Sequence, residues 1–333
     1  MKILVLGGTV YLSRAVAAGA RDRGHHVTIA SRGVSGRPPE GVRFVRVDRD
    51  RPDGLEPLGD EIYDAVVDVA RVPGQVGPAL AALAARSGHW TFVSTCSVYA
   101  DHATPGQTAE TAPLLDPTPV ESLDPDVGLY GPSKVACEHL VLDQAPAPFI
   151  VRPGLVVGPD DPNDRFGYWP LRIADGGEVL APGTPEDMVQ YVDVRDLADW
   201  ILDAAETRAT GVYDGICPPI TRSRFLDEIA DGIGVRPELT WVDQDFLTDH
   251  GVRPWAGPDS LGLWLPLPEY RGFLSHDPAA SVTAGLRIRP LADTARDWLT
   301  WYASQPEPPA LLADLPRPKE AEILAAWHST RFN

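Results

Sequence analysis

The sequence predicts an α/β fold in which a doubly wound parallel sheet is followed by a smaller C-terminal lobe. Short apolar runs alternate with alanine-rich helical segments through short links, the pattern of a parallel sheet with helices on both faces. One run, residues 64–69, is almost continuously apolar, as expected of a strand buried on both faces. At 333 residues, the chain is long enough for one large domain or two closely joined ones.

The individual elements follow from these patterns. Strands are predicted at residues 2–6, 26–30, 42–47, 64–69, 90–94 and 148–151. Helices are predicted after the first glycine turn as far as Arg23, at residues 74–86, and from Tyr130 to about Leu142. Another helix starts within residues 189–196 and runs to Glu206, with Asp196 as its expected N-cap. Residues 101–128 predict a long loop over the site, and residues 255–268 predict an irregular flap.

The composition restricts partners and compartment. A formal net charge of −18 disfavours nucleic acids and anionic membranes as partners. No apolar run is long enough for a membrane span. Cys96, Cys137 and Cys217 are widely spaced and form no Cys/His cluster, which predicts reduced thiols and no metal site. We therefore expect a soluble, cytoplasmic protein.

The first strand runs directly into a glycine turn and then a helix. A dinucleotide pyrophosphate binds at a helix N-terminus in this context. A Gly-x-x-Gly-x-x-Gly spacing would place glycines at positions 7, 10 and 13, whereas this chain has Gly7, Val10 and Ser13. Val10 puts a Cβ where the backbone normally approaches phosphate, while Ser13 is small enough for close helix packing. The turn predicts these cofactor contacts: Gly7, Thr9, Val10, Tyr11 and Leu12.

The residues after the second strand indicate whether the cofactor carries a 2′-phosphate. An acidic residue there would bind ribose hydroxyls, whereas an arginine accommodates a 2′-phosphate. The chain has Ser31 and Arg32, with Arg37 nearby, so NADP(H) is preferred and NAD(H) remains possible. The alternative is that Arg32 is a solvated loop charge. Asp48, Val69 and Ala70 follow the third and fourth strands, and we assign them to the same cofactor site.

Tyr130 and Lys134 stand four residues apart on a predicted helix, so their side chains share one face. A neighbouring ammonium favours the phenolate, which suits Tyr130 to acid–base catalysis. The alternative is an ordinary pair on an amphipathic helix.

With these motifs in order, the sequence resembles the extended short-chain dehydrogenase/reductase superfamily, of the NAD-dependent epimerase/dehydratase type. The resemblance covers about residues 1–300 and rests on the following segments: the Gly7 turn, Asp48, Ser94-Thr95-x-x-Val98-Tyr99, Tyr130-x-x-x-Lys134, Arg152-Pro153, Gly158-Pro159, residues 191–196 and a closing segment from Asp277 to Trp298. It implies a Rossmann-type domain of residues 1–160 plus about 190–215, and a substrate-binding lobe of residues 161–189 and 216–333.

The resemblance also implies roles for single residues. Tyr130 would be the acid–base, Lys134 would hold the nicotinamide ribose, Thr95 would bind the reacting substrate oxygen, and Pro153 would border the nicotinamide. Relatives pair two helices into homodimers, here residues 74–86 and 130–142. Their apolar residues Leu80, Leu83, Val135 and Leu140 suit either that interface or packing within one subunit.

The substrate contacts are less defined. Cys96 and Ser97 stand where sugar dehydratases of this superfamily carry an Asp-Glu pair, so Cys96 is either a proton carrier or a small buried thiol. In the lobe, we assign Arg165, Tyr168 and Trp169 to the substrate. Arg165 and Arg172 suit a carboxylate or phosphate, and the aromatic residues suit an apolar or planar small molecule unless they form the lobe core.

Three functions remain open at this point. The first is an NADP-dependent oxidoreductase acting on a carbonyl, imine or alcohol of a small molecule. The second is a nucleotide-sugar epimerase that retains NAD. The third is a non-catalytic dinucleotide-binding or RNA-associated protein.

Overall fold

The computed structural model describes residues 1–124 and 126–330. In chain order the strands are β1 (Lys2–Leu6), β2 (His26–Ser31), β3 (Arg43–Arg46), β4 (Ala65–Asp68), β5 (Trp90–Val93), β6 (Pro148–Pro153), β7 (Val156–Val157), β8 (Glu178–Pro182), β9 (Met188–Val189), β10 (Val192–Asp193), β11 (Gly211–Gly215), β12 (Ile220–Thr221), β13 (Glu238–Val242), β14 (Arg253–Pro254), β15 (Gly257–Pro258), β16 (Ser260–Leu261) and β17 (Ala313–Asp314). The α-helices are α1 (Tyr11–Asp22), α2 (Pro73–Leu83), α3 (Tyr130–Gln144), α4 (Tyr168–Ala174), α5 (Val194–Thr207), α6 (Arg222–Ile233), α7 (Gln244–Asp249), α8 (Ala279–Thr283), α9 (Leu291–Ser304) and α10 (Arg317–Thr330). Single turns of 3₁₀ helix occur at Glu56–Leu58, Ala84–Arg86, Cys96–Val98 and Val127–Leu129.

Within the described residues, seven strands form one sheet in the order β11-β6-β5-β4-β1-β2-β3. All neighbours in it are parallel. The central strand β1 is apolar because it is covered on both faces: Ile3, Leu4 and Val5 are 0% exposed. The predicted doubly wound sheet is therefore confirmed. Strand β11 was not predicted; its residues pair with β6 from Gly211↔Phe149 to Gly215↔Pro153.

Helices cover the sheet on both sides. Helices α1 and α5 share one hydrophobic core with one face of the sheet, while α2 and α3 share another core with the opposite face. Leu80, Leu83 and Val135 are buried within the subunit, at 1%, 0% and 1% exposure. The homodimer stays a prediction, and these residues do not supply its surface.

The start of α5 differs from the prediction. Its N-cap is Asp193, whose Oδ1 accepts a hydrogen bond from the Arg195 N–H at 2.8 Å. Asp196 lies one turn further on, where its carboxylate accepts from Arg289 at 2.7 Å. The expected cap at Asp196 is wrong because Val192 and Asp193 pair with β7, which sets where the extended chain ends.

The C-terminal lobe has its own hydrophobic core, to which α4, α6, α9 and the parallel pair β8/β13 contribute. Helix α10, beyond residue 303, packs on this core. Helix α10 buries Ile323 and Leu324 in it, and Glu320 accepts from the Arg172 Nε–H at 2.6 Å and from the Leu180 N–H at 3.0 Å. Among residues 1–124 and 126–330, no helix combines the length and hydropathy that a membrane crossing requires.

Candidate active site

A cavity of about 850 Å³ lies at the carboxyl edge of the sheet, where it meets the lobe. Thr95, Tyr130, Lys134 and Pro153 line it from the sheet domain, and Arg165 lines it from the lobe. Residues that follow β4, β5 and β6 meet there because parallel strands end at the same edge. The structure thus brings the three expected catalytic side chains to one cavity.

A second groove, of about 660 Å³, continues from this cavity over the first glycine turn. The two share the residues Val10, Ser13, Val69 and Arg71. The expected cofactor residues at the groove are Gly7, Thr9, Val10, Ser31, Arg32, Asp48, Val69 and Ala70. Tyr11, Leu12 and Pro153 lie at the cavity. Every residue assigned to the cofactor from sequence therefore borders one continuous space.

The N-terminus of α1 faces this space and fits an anionic group. Gly7 adopts φ +125°, and a Cβ there would lie 2.8 Å from Val69 Cγ2, so the turn needs glycine. Val10 is extended at φ −136°, which a β-branched residue tolerates, and it offers no side-chain cap. The first turn of α1 carries no acid, so its N–H groups suit a dinucleotide pyrophosphate. Ser13 Oγ donates to the Val10 carbonyl at 2.8 Å and closes the turn.

Arginines cluster at the far end of the groove. Arg32 Nη1 donates to Asp50 Oδ2 at 3.2 Å, and the two side chains are 54% and 42% exposed. A small pocket of about 350 Å³ beside them is lined by Arg32, Arg46 and Arg51. Sequence reasoning missed Arg46, because β3 reaches the pocket only through its pairing with β2.

The Lys134 ammonium forms hydrogen bonds at the ends of two strands. Its Nζ donates to the main-chain oxygens of Ala70 at 2.7 Å and Val93 at 2.5 Å, and it lies 4.6 Å from the Phe92 ring centroid. An ammonium has one more N–H than these two acceptors use, and that donor is available at the cavity.

Tyr130 begins α3 and is partly buried at the cavity wall. The next residue, Gly131, allows close approach: a Cβ there would lie 2.3 Å from the Ser97 carbonyl oxygen. The first turn of α3 therefore packs directly on the 3₁₀ turn Cys96–Val98, which brings Tyr130 to the Thr95 segment. The Arg71 guanidinium lies 5.2 Å from the Tyr130 ring centroid.

Thr95 and Ser97 form a hydroxyl pair. Thr95 Oγ1 accepts from the Ser97 N–H at 3.1 Å and donates to Ser97 Oγ at 3.2 Å. Cys96 and Ser97 both line the cavity, and the Cys96 Sγ donates to the Arg152 carbonyl at 3.3 Å. Burial raises the pKa of the Cys96 thiol well above its usual range, which favours the buried-thiol interpretation over a proton carrier.

The lobe residues assigned to the substrate separate into two groups. Arg165 lines the cavity. Tyr168 and Trp169, each 1% exposed, lie in the lobe core instead. Trp169 Nε1 donates to the Gly262 carbonyl at 2.9 Å. The structure does not bring these two aromatics to the site, because the apolar face of α4 packs inward.

Trp255 and Tyr270, which belong to the lobe aromatics expected to suit a planar small molecule, line the cavity. Arg71, His102, Asp161 and Phe273 also line it and were not singled out from sequence. They come from distant segments without a shared motif, so only the predicted loop and flap pointed to their neighbourhood.

The fold and the groove define a Rossmann-type dinucleotide-binding protein. Residues 3–215 match the model of the NAD dependent epimerase/dehydratase family, and the chain belongs to this family of NAD-binding enzymes. The predicted resemblance is thus confirmed. In the described residues, no cluster of His, Cys, Asp and Glu could hold a metal ion.

The chain is similar in sequence to a characterised reductase and similar in fold to solved epimerase structures. A 2′-dehydrokanamycin reductase of Streptomyces kanamyceticus is 34% identical over 143 residues, which are 42% of this chain and 38% of that protein. The match therefore spans well under half of the relative's length.

Solved structures of epimerases share the fold. The UDP-glucose 4-epimerase of Thermus thermophilus, in complex with NAD, has a TM-score of 0.61 at 18% identity and covers 91% of this chain and 99% of its own. The UDP-N-acetylglucosamine 4-epimerase of Bacillus cereus has a TM-score of 0.66 at 16% identity, with 93% and 99% covered.

Proposed function

We propose that the protein is an NAD(P)-dependent oxidoreductase that transfers hydride to or from a carbonyl, imine or alcohol of a small molecule. The observation that carries the proposal is the single cavity in which Thr95, Tyr130 and Lys134 meet the end of the dinucleotide groove. The bound dinucleotide supplies or accepts the hydride.

The side chains at the cavity then transfer a proton to the substrate oxygen and hold that oxygen in place. In the reducing direction, the Tyr130 hydroxyl donates its proton to the substrate oxygen, which would otherwise become an alkoxide. Thr95, whose hydroxyl contacts that of Ser97, lines the cavity, and in this proposal it hydrogen-bonds the same substrate oxygen. Lys134 adds positive charge to the wall of the same cavity, where negative charge develops during the transfer.

The name of the Streptomyces relative supports this class, since that protein is a reductase of a dehydro compound. A ketone of a small molecule is accordingly the first substrate type to offer.

The cofactor we propose is NADP(H). Arg32 and Arg46 border the pocket where a 2′-phosphate would extend from the adenosine ribose. The Arg46 side chain is exposed and forms no ion pair within residues 1–124 and 126–330. An unpaired arginine beside Arg32 suits a second negative group.

A nucleotide-sugar epimerase is the second candidate. It is favoured by the Arg32–Asp50 contact, which engages the arginine and leaves a carboxylate at the ribose end, as NAD binding would use. An epimerase retains its nucleotide, so identifying the nucleotide released when the purified protein is denatured separates the two candidates. One ground for the non-catalytic alternative was that Val10 would close the phosphate site, and the extended Val10 backbone beside an open groove speaks against that ground.

The test is turnover of a ketone and nucleotide-sugar panel with NADPH and NADH. We expect Tyr130→Phe to lower kcat by at least about 100-fold, because the proton donor is lost. Tyr302→Phe is the matched control, since Tyr302 stacks on Trp298 in the lobe, away from the cavity. Undiminished turnover in Tyr130→Phe would refute the assignment.

A further inference from the structure

Arg165 is an unpaired cation at the cavity wall. Its side chain is partly buried, and its Nε–H is fully buried without a hydrogen-bond partner among residues 1–124 and 126–330. It forms no ion pair in that same part of the chain. The guanidinium instead lies 4.8 Å from the ring centroid of Trp255.

The surroundings do not neutralise this charge. Asp161 acts on Arg165 through space, but its Oδ1 accepts from the Asn163 N–H at 2.9 Å. Burial raises the pKa of Asp161 to about 6, so its charge is itself costly there. Tyr11 and Tyr130 are the other titratable side chains that lie near Arg165. A desolvated guanidinium without an ion pair carries an energetic cost that a bound anion would offset.

Arg172, the other arginine that the sequence offered for an anion, behaves differently. Its Nε donates to Glu320 at 2.6 Å and its Nη1 to the Gly176 carbonyl at 2.9 Å. Arg172 is thus a paired structural residue, and of these two arginines it is Arg165 that lines the cavity and is available to a ligand.

An aromatic wall stands beside Arg165. Phe273 lies 5.8 Å from Trp255 and 5.1 Å from His102, and His102 stacks on Tyr270 at 5.5 Å between centroids. Such edges and faces hold a planar or apolar body. The cavity therefore combines a proton donor at Tyr130, an aromatic wall and an unpaired guanidinium.

We propose that the substrate is an anionic carbonyl compound, with a carboxylate or phosphoryl group bound by Arg165 and a planar body against the aromatic wall. The proposal rests on the proposed reduction at Tyr130 and adds the substrate class. Because the Arg165 guanidinium lies over the Trp255 ring, its N–H groups remain free to donate to two oxygens of one anion. Trp255 thereby orients Arg165, and Arg165 selects the substrate.

The test compares aryl ketones of one shape and different charge. The probes are 4-acetylbenzoate, 4-acetylphenyl phosphate, neutral 4-acetylbenzamide and the cationic 4-acetyl-N,N,N-trimethylanilinium. Each is titrated calorimetrically into protein loaded with oxidised dinucleotide, so that no reduction takes place. We expect at least one anionic probe to bind about 10-fold or more tightly than the amide, and the two anions show which group the site takes.

Variants assign the effect to Arg165. Arg165→Gln should remove the preference for the anion while amide binding stays, and Arg165→Lys should restore part of it, because lysine keeps the charge and loses the fork. Arg253→Gln is the matched control: Arg253 is exposed on β14, next to cavity residue Pro254 but outside the lining. Equal unfolding midpoints for all three variants verify that the lobe is intact.

Four results would overturn the proposal: equal binding of anion and amide by the wild type, an unchanged preference in Arg165→Gln, tightest binding of the cationic probe, or no binding of any probe. Failure of the proposed reduction looks different. In that case the anions bind through Arg165, yet the protein loaded with reduced dinucleotide does not convert them.

Discussion

The Arg152 guanidinium and the Glu138 carboxylate form a buried ion pair behind the catalytic wall, with Nη2 2.6 Å from Oε2. Glu138 lies on α3 with Tyr130, and Arg152 lies on β6 just before Pro153. Arg152 Nη1 also donates to the Ala109 carbonyl at 2.9 Å. The pair therefore links the helix that carries Tyr130, a sheet strand and the loop after Tyr99.

Breaking this pair should destabilise the protein. Arg152→Met leaves the Glu138 carboxylate buried without its partner, and we expect the free energy of unfolding to fall by about 3–5 kcal/mol in urea denaturation. Arg224→Met is the control, because the Arg224–Glu228 pair is solvent-exposed at 65% and 26% and should cost less than about 1 kcal/mol. A loss of less than about 1 kcal/mol in Arg152→Met as well would mean that the buried pair is not needed for stability.

Cofactor choice should depend on Arg32 and Arg46. We expect the wild type to bind NADPH more tightly than NADH, and Arg32→Ala or Arg46→Ala to weaken NADPH binding about 10-fold or more with little effect on NADH, because each removes a charge from the 2′-phosphate pocket. Calorimetric titration measures both. Arg37→Ala is the control, since Arg37 is exposed and does not line the groove. Equal losses for NADH and NADPH would argue against an NADP site and favour the epimerase candidate.

The Cys96 thiol should be unreactive in the native protein and should take no part in turnover. Burial raises the pKa of its thiol, and the thiolate is the reactive form, so we expect iodoacetamide to modify the native protein slowly and the urea-unfolded protein quickly. Cys96→Ala should keep kcat within about threefold, because no proton passes through this thiol in the proposed mechanism. A loss comparable with that of Tyr130→Phe would reinstate Cys96 as a proton carrier.

The titration of the Asp164 carboxyl should lower the free energy of unfolding as the pH rises. Burial raises the pKa of this carboxyl to about 7 in the folded protein, although it accepts from the Gly167 N–H at 2.7 Å and the Trp298 Nε1–H at 2.8 Å. An unfolded aspartate titrates near ~3.9, so the folded state binds the proton more tightly. The stabilisation is complete below about pH 4 and is lost as the pH rises to about 7.

Asp164→Asn removes this titration. We expect the free energy of unfolding of the wild type to decline, relative to that of the variant, between about pH 4 and pH 7. Asp116→Asn, at an exposed position, should run parallel to the wild type. A parallel course for Asp164→Asn as well would contradict the raised pKa.

Much of the sheet domain could be predicted because its signals are local. The apolar run Lys2–Leu6 and the glycine turn after it are contiguous, and Tyr130 and Lys134 are one helical turn apart. Strand β11 escaped prediction, since Gly211–Gly215 has weak strand character and is held by its pairing with β6.

The sequence by itself determined the doubly wound sheet and the glycine turn of the dinucleotide groove, because these depend on short-range periodicity and fixed spacing. It also predicted Thr95, Tyr130 and Lys134 as a catalytic set, and the structure brings these three residues to one cavity. Only the tertiary structure decided the roles of the lobe residues. Arg165 and Arg172 look alike in sequence, yet Arg172 pairs with Glu320, which is 148 positions away, whereas Arg165 forms no ion pair within the described part of the chain. Likewise, Tyr168 and Trp169 are core residues because α4 turns their side chains inward. Which side chain is paired, buried or left facing a cavity depends on long-range packing, and no local pattern encodes that.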